Sequence, residues 1–161
     1  NKGVKLRFCE FPISENSMLA GLKHLNRIDS VMARSEWDED EFFDGVMLDN
    51  SGSIIDGTMT NLFFSKNKVL YTPIIKKSGI NGIMRQVVID NAKLFFKEVY
   101  EIEIKKKTIS TYDEMFVTNS VIKILPVTHL SNKKFKITDA SREMINFFFK
   151  KSKRSKNLEL V

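Results

Sequence analysis

The sequence of 161 residues predicts one domain of the α+β class, in mixed layers of strands and helices. Three observations predict this class. Short β-type segments cluster in the first half, longer helical segments follow, and strands do not alternate regularly with helices as in a doubly wound sheet. A composition of 42% hydrophobic and 29% charged residues excludes a disordered or fibrous chain.

The first half of the chain is predicted to be mostly β-structure. A strand over residues 4–11 comes first, and a helix over 25–36 follows it, with apolar side chains at helical spacing: Leu25, Ile28, Val31 and Met32. An acidic run at 38–41 is expected to form a solvated turn. An antiparallel meander is then predicted, with strands at 42–48, 53–56, 61–65 and 68–71 and hairpin loops at 49–52 and 65–68.

The second half combines helices and strands. A helical run is predicted from Ile83 to about Val99, and the final helix at 139–150, with Thr138 as its N-cap. Between them we expect a half-exposed strand at 100–106, a short helix at 108–114, and strands at 115–118 and 122–127.

Basic residues account for the net charge of +6, and their excess lies in the last quarter, above all at 150–156. One interpretation is a surface for nucleic acid or an acidic membrane. The other is a solvated tail, 151–161, after a helix whose dipole favours cations. Because no aromatic residues interleave with the basic ones and no nucleic-acid module is recognised, we favour the tail.

Redox and targeting features predict a cytoplasmic protein that has no membrane partner. Cys9 is the single cysteine, so no intramolecular disulfide can form, and no apolar run reaches 18 residues. No signal-like segment opens the chain. Since the chain begins Asn1-Lys2-Gly3 without an initiator methionine, we expect it to be a piece of something longer.

Three short segments contain residue types suited to chemistry. Lys23 lies in a basic segment, 21–27, and a lysine withdrawn from water is what a Schiff-base nucleophile requires. The segment 78–85 is a glycine-containing loop that leads into a helix, whose free N–H groups favour phosphate. The segment 118–120 offers hydroxyl and amide groups. Singly, each has an ordinary alternative: an exposed lysine, a plain connection and a turn.

Together, these segments resemble the landmarks of the fold type IV pyridoxal-phosphate enzymes. The superfamily includes the branched-chain and D-amino-acid aminotransferases and 4-amino-4-deoxychorismate lyase, and the segments 19–27 and 118–120 are most similar to the lyase. The resemblance extends over residues 4–149, so 1–150 is assigned to the larger, cofactor-binding domain. The fold that it implies is that of the D-amino-acid aminotransferase-like enzymes, a mixed β-sheet with barrel-like strands and flanking helices. Its landmarks occur in the family's order, at 19–27, 55–63, 79–85 and 118–127.

The resemblance implies the roles of the residues around the cofactor ring. Lys23 would be the catalytic lysine, bonded covalently to pyridoxal 5'-phosphate. Asp56 stands where the family usually has a glutamate, whose carboxylate keeps the pyridine nitrogen protonated so that the ring acts as an electron sink. Ile80 would pack on the ring face. Asp56 is one methylene shorter than the usual glutamate, so its carboxylate is expected either to lie farther from the ring nitrogen or to follow a shifted strand.

The resemblance also implies how the cofactor phosphate is held. The backbone amides of Ile83 and Met84 match the family's phosphate-binding amides, in agreement with the helix-end argument. Ser120 and Asn119 match the polar residues that complete the phosphate site. No metal site is expected.

The activity implied by the resemblance is that of a lyase which converts 4-amino-4-deoxychorismate to 4-aminobenzoate and pyruvate in folate biosynthesis. The alternatives are an aminotransferase of the same fold, and a non-catalytic module that binds nucleic acid through its basic tail. The resemblance further implies a homodimer and a small-molecule substrate. Family members carry a smaller N-terminal domain, and we expect this sequence to begin after it, either as a fragment or as a chain that retains only the larger domain. Without the smaller domain, cofactor affinity and turnover are expected to fall.

Overall fold

The computed structural model describes residues 3–38 and 40–156, which form a mixed ten-stranded sheet flanked by helices. The strands are β1 (Val4–Phe8), β2 (Asp44–Leu48), β3 (Ser53–Gly57), β4 (Asn61–Lys66), β5 (Val69–Pro73), β6 (Glu98–Ile102), β7 (Ile104–Lys105), β8 (Glu114–Asn119), β9 (Lys123–Leu130) and β10 (Lys133–Lys134). Their order is β6-β5-β4-β8-β9-β1-β2-β3-β7, and β10 pairs with β9. Parallel and antiparallel pairs both occur, which confirms the predicted α+β class.

The sheet curls, because the chain connects two strands that are distant in the strand order. Residues 58–60 join β3 to β4, although β8, β9, β1 and β2 lie between them in the sheet. A flat sheet would separate the two strands by roughly 24 Å, whereas three linking residues span at most about 14 Å. The sheet is therefore barrel-like, as predicted.

The predicted meander of four consecutive antiparallel strands is wrong at this same connection. β2 pairs with β3 and β4 pairs with β5, both antiparallel, but β3 and β4 are not sheet neighbours. The turn between them closes on itself instead, since the Gly57 N–H donates to the Thr60 carbonyl at 2.7 Å.

The helices differ from their predicted bounds. They are α1 (Ile28–Arg34), α2 (Ile83–Asn91) and α3 (Asp139–Lys156), with 3-10 helices at Ala92–Leu94 and Lys106–Thr111. The predicted helical run to Val99 is wrong after Leu94, because the chain turns there to place β6 beside β5. In place of the predicted helix 108–114 the structure has the second 3-10 helix, Lys106–Thr111, and Glu114 begins β8. α3 extends past Lys150, so the predicted tail is helical as far as Lys156; residues 157–161 lie outside the described part of the chain.

The core is divided between the two faces of the sheet by the two-residue period of the strands. Leu62 and Phe64 of β4 belong to one buried cluster, whereas Phe63 between them belongs to another. Phe63 stacks on Phe116 of β8, with ring centroids 4.9 Å apart, and α2 and α3 cover this second cluster. Among the residues that the structure describes, no helix is long and apolar enough to cross a membrane.

Helix α1 is shorter than the predicted helix 25–36 and presents its apolar side to solvent. Ser30 and Ala33 are buried against the sheet, where the Ser30 hydroxyl donates to the Met47 sulfur at 3.8 Å. Small side chains allow the helix to lie close to β2. The larger apolar side chains of α1, and that of Leu25 three residues before it, are exposed. We call these four residues the apolar α1 face: Leu25, Ile28, Val31 and Met32.

Candidate active site

The loop that carries Lys23 is bound to the loop that precedes α2. Gly21 and Ile80 form an isolated parallel bridge: the Gly21 N–H donates to the Gly79 carbonyl at 2.9 Å, and the Asn81 N–H donates to the Gly21 carbonyl at 3.1 Å. Both glycines have positive φ, 85° and 88°, where residues with a side chain are strained. Lys23 itself is exposed, as in the ordinary interpretation of the segment 21–27, and its catalytic role stays a prediction.

Asp56 lies at the centre of the site. It is 3% exposed on β3, and its Oδ2 accepts a hydrogen bond from the Ile80 N–H at 3.1 Å. Its Oδ1 is buried and has no hydrogen-bond partner within the described residues. Burial raises the pKa of the Asp56 carboxyl from 3.8 to about 7, although the Ile80 N–H and the charge of Arg27 oppose this increase.

The backbone of Ile80 is held by hydrogen bonds on both its N–H and its carbonyl. Besides the bond from its N–H to Asp56, its carbonyl accepts a hydrogen bond from the Asn61 side-chain amide at 2.7 Å. Gly82 leaves room for this amide, since a Cβ at Gly82 would overlap the Asn61 Oδ1. Asn61 was not predicted as a site residue, although it lies within 55–63, one of the segments that resemble the family's landmarks.

The N-terminus of α2 supplies the two backbone amides predicted to hold phosphate. Gly82 is the N-cap and has no capping side chain, and the first turn contains no acidic residue. The N–H groups of Ile83 and Met84 have no intrahelical acceptor, because they belong to the first turn. The Ile83 side chain is exposed, whereas that of Met84 is buried in the core below. This helix end has the positive dipole that favours an anion.

Asn119 and Ser120 lie where β8 turns into β9. The Asn119 Oδ1 accepts hydrogen bonds from the N–H groups of Val121 and Ile122, both at 2.9 Å, so Asn119 shapes the turn. Its Nδ2 donates to the Met59 carbonyl at 3.3 Å, which ties this turn to the one after Asp56. Ser120 is exposed. The ordinary interpretation of this segment as a turn is therefore confirmed, and the phosphate role of Ser120 and Asn119 stays a prediction.

Hydrogen bonds thus connect the four predicted segments into one site. Asp56 bonds to Ile80, the Ile80 loop bonds to the Lys23 loop, and Asn119 bonds to the turn after Asp56. The sequence did not identify Asp44, which is fully buried on β2 and accepts hydrogen bonds from that turn. No spacing rule indicates it, because its partners lie 14 and 16 residues further along the chain.

The donors and acceptors suit pyridoxal 5'-phosphate. A buried carboxylate oxygen without a donor is costly, and a protonated pyridine nitrogen would supply the donor that the Asp56 Oδ1 lacks. The free amides of Ile83 and Met84 would receive the phosphate. Within the described residues, no cluster of three or more metal-ligating side chains occurs.

Comparison with known proteins defines the class of this fold and site. Residues 3–130 match the model of the amino-transferase class IV family, and the chain belongs to this family of fold type IV, pyridoxal-phosphate-dependent enzymes. Curated relatives include an aminodeoxychorismate lyase of Vibrio harveyi, which is 35% identical over 139 residues, 84% of this chain and 50% of the relative. Other curated relatives are named as branched-chain aminotransferases, among them proteins of Rickettsia conorii and Salmonella typhimurium.

Solved structures agree with this assignment. The 4-amino-4-deoxychorismate lyase of Pseudomonas aeruginosa superposes with a TM-score of 0.86 at 30% identity, over 90% of this chain and 54% of that one. A protein of Thermotoga maritima, described as a branched-chain amino acid aminotransferase, gives a TM-score of 0.75 at 28% identity, over 83% and 48% of the two chains. The chain spans about half the length of the lyases that it matches.

Proposed function

We propose that the chain is the cofactor-binding part of a pyridoxal-phosphate-dependent lyase that converts 4-amino-4-deoxychorismate to 4-aminobenzoate and pyruvate. The observation that carries the proposal is the hydrogen-bonded connection from the buried Asp56 through Ile80 to the Lys23 loop, beside the open N-terminus of α2. In this proposal the Lys23 loop supplies the nucleophilic amine, Asp56 the acceptor for a ring nitrogen, and the N-terminus of α2 the donors for a phosphate.

Each of these groups has a defined task in the proposed reaction. The Ile83 and Met84 amides orient the phosphate end, and Asp56 holds a proton on the ring nitrogen. The bound cofactor supplies an electron sink for the charge left when a substrate C–H bond breaks. The Lys23 amine accepts that proton. Cleavage of the bond between the neighbouring ring carbon and the ether oxygen would then expel enolpyruvate and leave the aromatic product. The enolpyruvate would take up a proton on carbon, from the Lys23 ammonium or from water, and so become pyruvate.

The share of this chain that aligns with each relative favours the lyase over an aminotransferase. The Vibrio harveyi lyase aligns with 84% of this chain at 35% identity, whereas a Methanocaldococcus jannaschii protein named as a branched-chain aminotransferase aligns with 70% at the same identity. The aminotransferase is the second candidate, because one lysine and one electron sink serve both reactions. The discrimination must then come from the substrate pocket.

Two half-reaction assays on the cofactor-loaded chain separate the candidates. We expect pyruvate release from aminodeoxychorismate, measured by coupled NADH oxidation, that is lost in Lys23→Ala. Conversion of the cofactor to its amine form by a branched-chain or D-amino acid, without pyruvate release, would establish the aminotransferase instead. If neither signal appears with loaded chain, both proposals are wrong for this chain.

We further propose that the chain forms a homodimer through the apolar α1 face. This face places large apolar side chains in water beside the Lys23 loop, which is typical of a surface covered by a partner. Val31→Glu is expected to convert the dimer to monomer in sedimentation velocity. Val121→Glu is the matched control, because Val121 is an equally apolar, 88% exposed valine that lies between β8 and β9 and not in α1. A wild-type monomer, or equal effects of the two variants, would contradict the proposal.

A further inference from the structure

The carboxylate of Asp44 holds the 57–60 turn from inside the protein. Asp44 is fully buried on β2. Its Oδ1 accepts hydrogen bonds from the Thr58 hydroxyl at 2.6 Å and the Thr58 N–H at 3.1 Å, and its Oδ2 accepts one from the Thr60 hydroxyl at 2.6 Å. Gly57 permits this approach, since a Cβ there would overlap the Asp44 Oδ2. Burial raises the pKa of the Asp44 carboxyl, and the hydrogen bonds from Thr58, Thr60 and Gly45 oppose this increase.

The 57–60 turn is also where the segments of the candidate site meet. It directly follows Asp56, and its outer side accepts two hydrogen bonds from elsewhere. The Arg27 guanidinium, four residues after Lys23, donates to the Thr58 carbonyl at 3.1 Å, and the Asn119 amide donates to the Met59 carbonyl at 3.3 Å. A shift of this turn would therefore move the Lys23 loop, Asp56 and the Asn119 turn relative to one another.

We propose that Asp44 is a positioning residue for the cofactor site: by fixing the 57–60 turn, it fixes the separation between the groups proposed to hold the ring and those proposed to hold the phosphate. This inference rests on the proposed function. Asp44 acts through Thr58 and Thr60 and itself contacts no ligand, because it is enclosed by the turn and the sheet.

Asp49 provides a matched control at the other end of the same hairpin. It follows β2, and its Oδ1 accepts hydrogen bonds from the Ser51 N–H, the Ser51 hydroxyl and the Ser53 N–H, all within 2.9 Å. Asp44→Asn and Asp49→Asn thus each replace one turn-holding carboxyl oxygen by an amide nitrogen, but only Asp44 lies at the turn after Asp56. Because Asp49 is only half-buried, the two variants are compared by the cofactor affinity of the folded chain and not by stability.

The test is a titration of each variant with pyridoxal 5'-phosphate, followed by absorbance. Asp44→Asn is expected to weaken binding at least about tenfold, as loss of a well-placed charged hydrogen bond does, whereas Asp49→Asn binds within about twofold of wild type. If Asp44→Asn does not fold, Thr60→Val and Thr60→Ser form a second pair. Weakened binding is expected only in Thr60→Val, because serine keeps the hydroxyl that donates to Asp44. Equal affinity in Asp44→Asn and Asp49→Asn, or in the two Thr60 variants, overturns the proposal.

A measurement on the cofactor-free chain separates this inference from the proposed function. In Asp44→Asn we expect the Gly57 amide to exchange with solvent about tenfold faster and the Arg27 and Asn119 resonances to shift, with neither change in Asp49→Asn. If wild type binds no cofactor, the proposed function fails, while these shifts still decide whether Asp44 positions the site. Unchanged Arg27 and Asn119 resonances overturn the inference.

Discussion

Replacing Asp56 by asparagine is expected to stabilise the cofactor-free chain at neutral and alkaline pH. Burial raises the pKa of this carboxyl from 3.8 to about 7, so the folded chain keeps the proton over a pH range in which the unfolded chain releases it. The free energy of unfolding of the wild type therefore falls as the pH rises from about 4 to about 7. Asp56→Asn has no proton to lose there and removes this dependence.

The size of the effect follows from the pKa. A difference between 3.8 and about 7 corresponds to about 4 kcal/mol, at about 1.4 kcal/mol for each pH unit, which is an upper bound for the stabilisation above pH 7. At about pH 4 the variant and the wild type should be nearly equal in stability. Bound cofactor should reduce the difference, because a protonated ring nitrogen would pair with the Asp56 carboxylate.

Urea unfolding of both proteins across this pH range measures the effect. Asp49→Asn is a control of opposite sign: burial would raise the pKa of Asp49, but hydrogen bonds from Ser51 and Ser53 outweigh it and lower the pKa, so this variant should lose stability at neutral pH. A stability difference between Asp56→Asn and wild type that does not change with pH would refute the argument.

Three further substitutions test the surroundings of the site. Gly79→Ala places a Cβ 2.7 Å from the Ile55 Cγ2 at a φ of 88°, so the free energy of unfolding in urea should fall by about 1–3 kcal/mol; an unchanged value would show that the loop adapts. Ser120→Ala should weaken binding of pyridoxal 5'-phosphate about fivefold but not that of pyridoxal, and equal losses would remove Ser120 from the phosphate site. Arg85→Met should lower the unfolding free energy by about 3 kcal/mol, because the buried guanidinium donates to Asn81, Pro73 and Glu101; a change below about 1 kcal/mol would contradict this.

The strands were largely predictable from the sequence because their pattern is local. Alternating apolar residues and turn-forming loops correctly placed β2, β3, β4 and β5 and the two hairpins among them. The strand order was not predictable, because it depends on the turn at 57–60. That turn closes on the Asp44 carboxylate, and pattern rules do not describe a side chain bonded to residues 14 and 16 positions away.

Periodicity also failed to show which side of α1 faces the core. The spacing of Leu25, Ile28, Val31 and Met32 indicates one apolar face, and such a face normally packs inward. The structure buries Ser30 and Ala33 instead. A surface that another protein covers and a surface that the core covers have the same pattern in a single sequence.

The candidate site was predicted through family motifs rather than through the residues one by one. Those motifs located Asp56 and Ile80, which the structure joins by a hydrogen bond, and the loop of Lys23, whose Gly21 bonds to Gly79 and Asn81. The family motifs did not indicate Asp44, and they do not report whether the Lys23 side chain is exposed to solvent. Exposure depends on what covers the loop, which no local pattern records.

The central claim is that Lys23 bonds covalently to pyridoxal 5'-phosphate, and borohydride trapping tests it most directly. The chain would be mixed with the cofactor, reduced, digested and mapped by mass spectrometry, with Lys23→Ala and Lys76→Ala as matched variants that each remove one exposed lysine. We predict a reduced cofactor adduct on Lys23 in the wild type and in Lys76→Ala, and its loss in Lys23→Ala. An adduct spread equally over many lysines, or retained in full by Lys23→Ala, would contradict the claim.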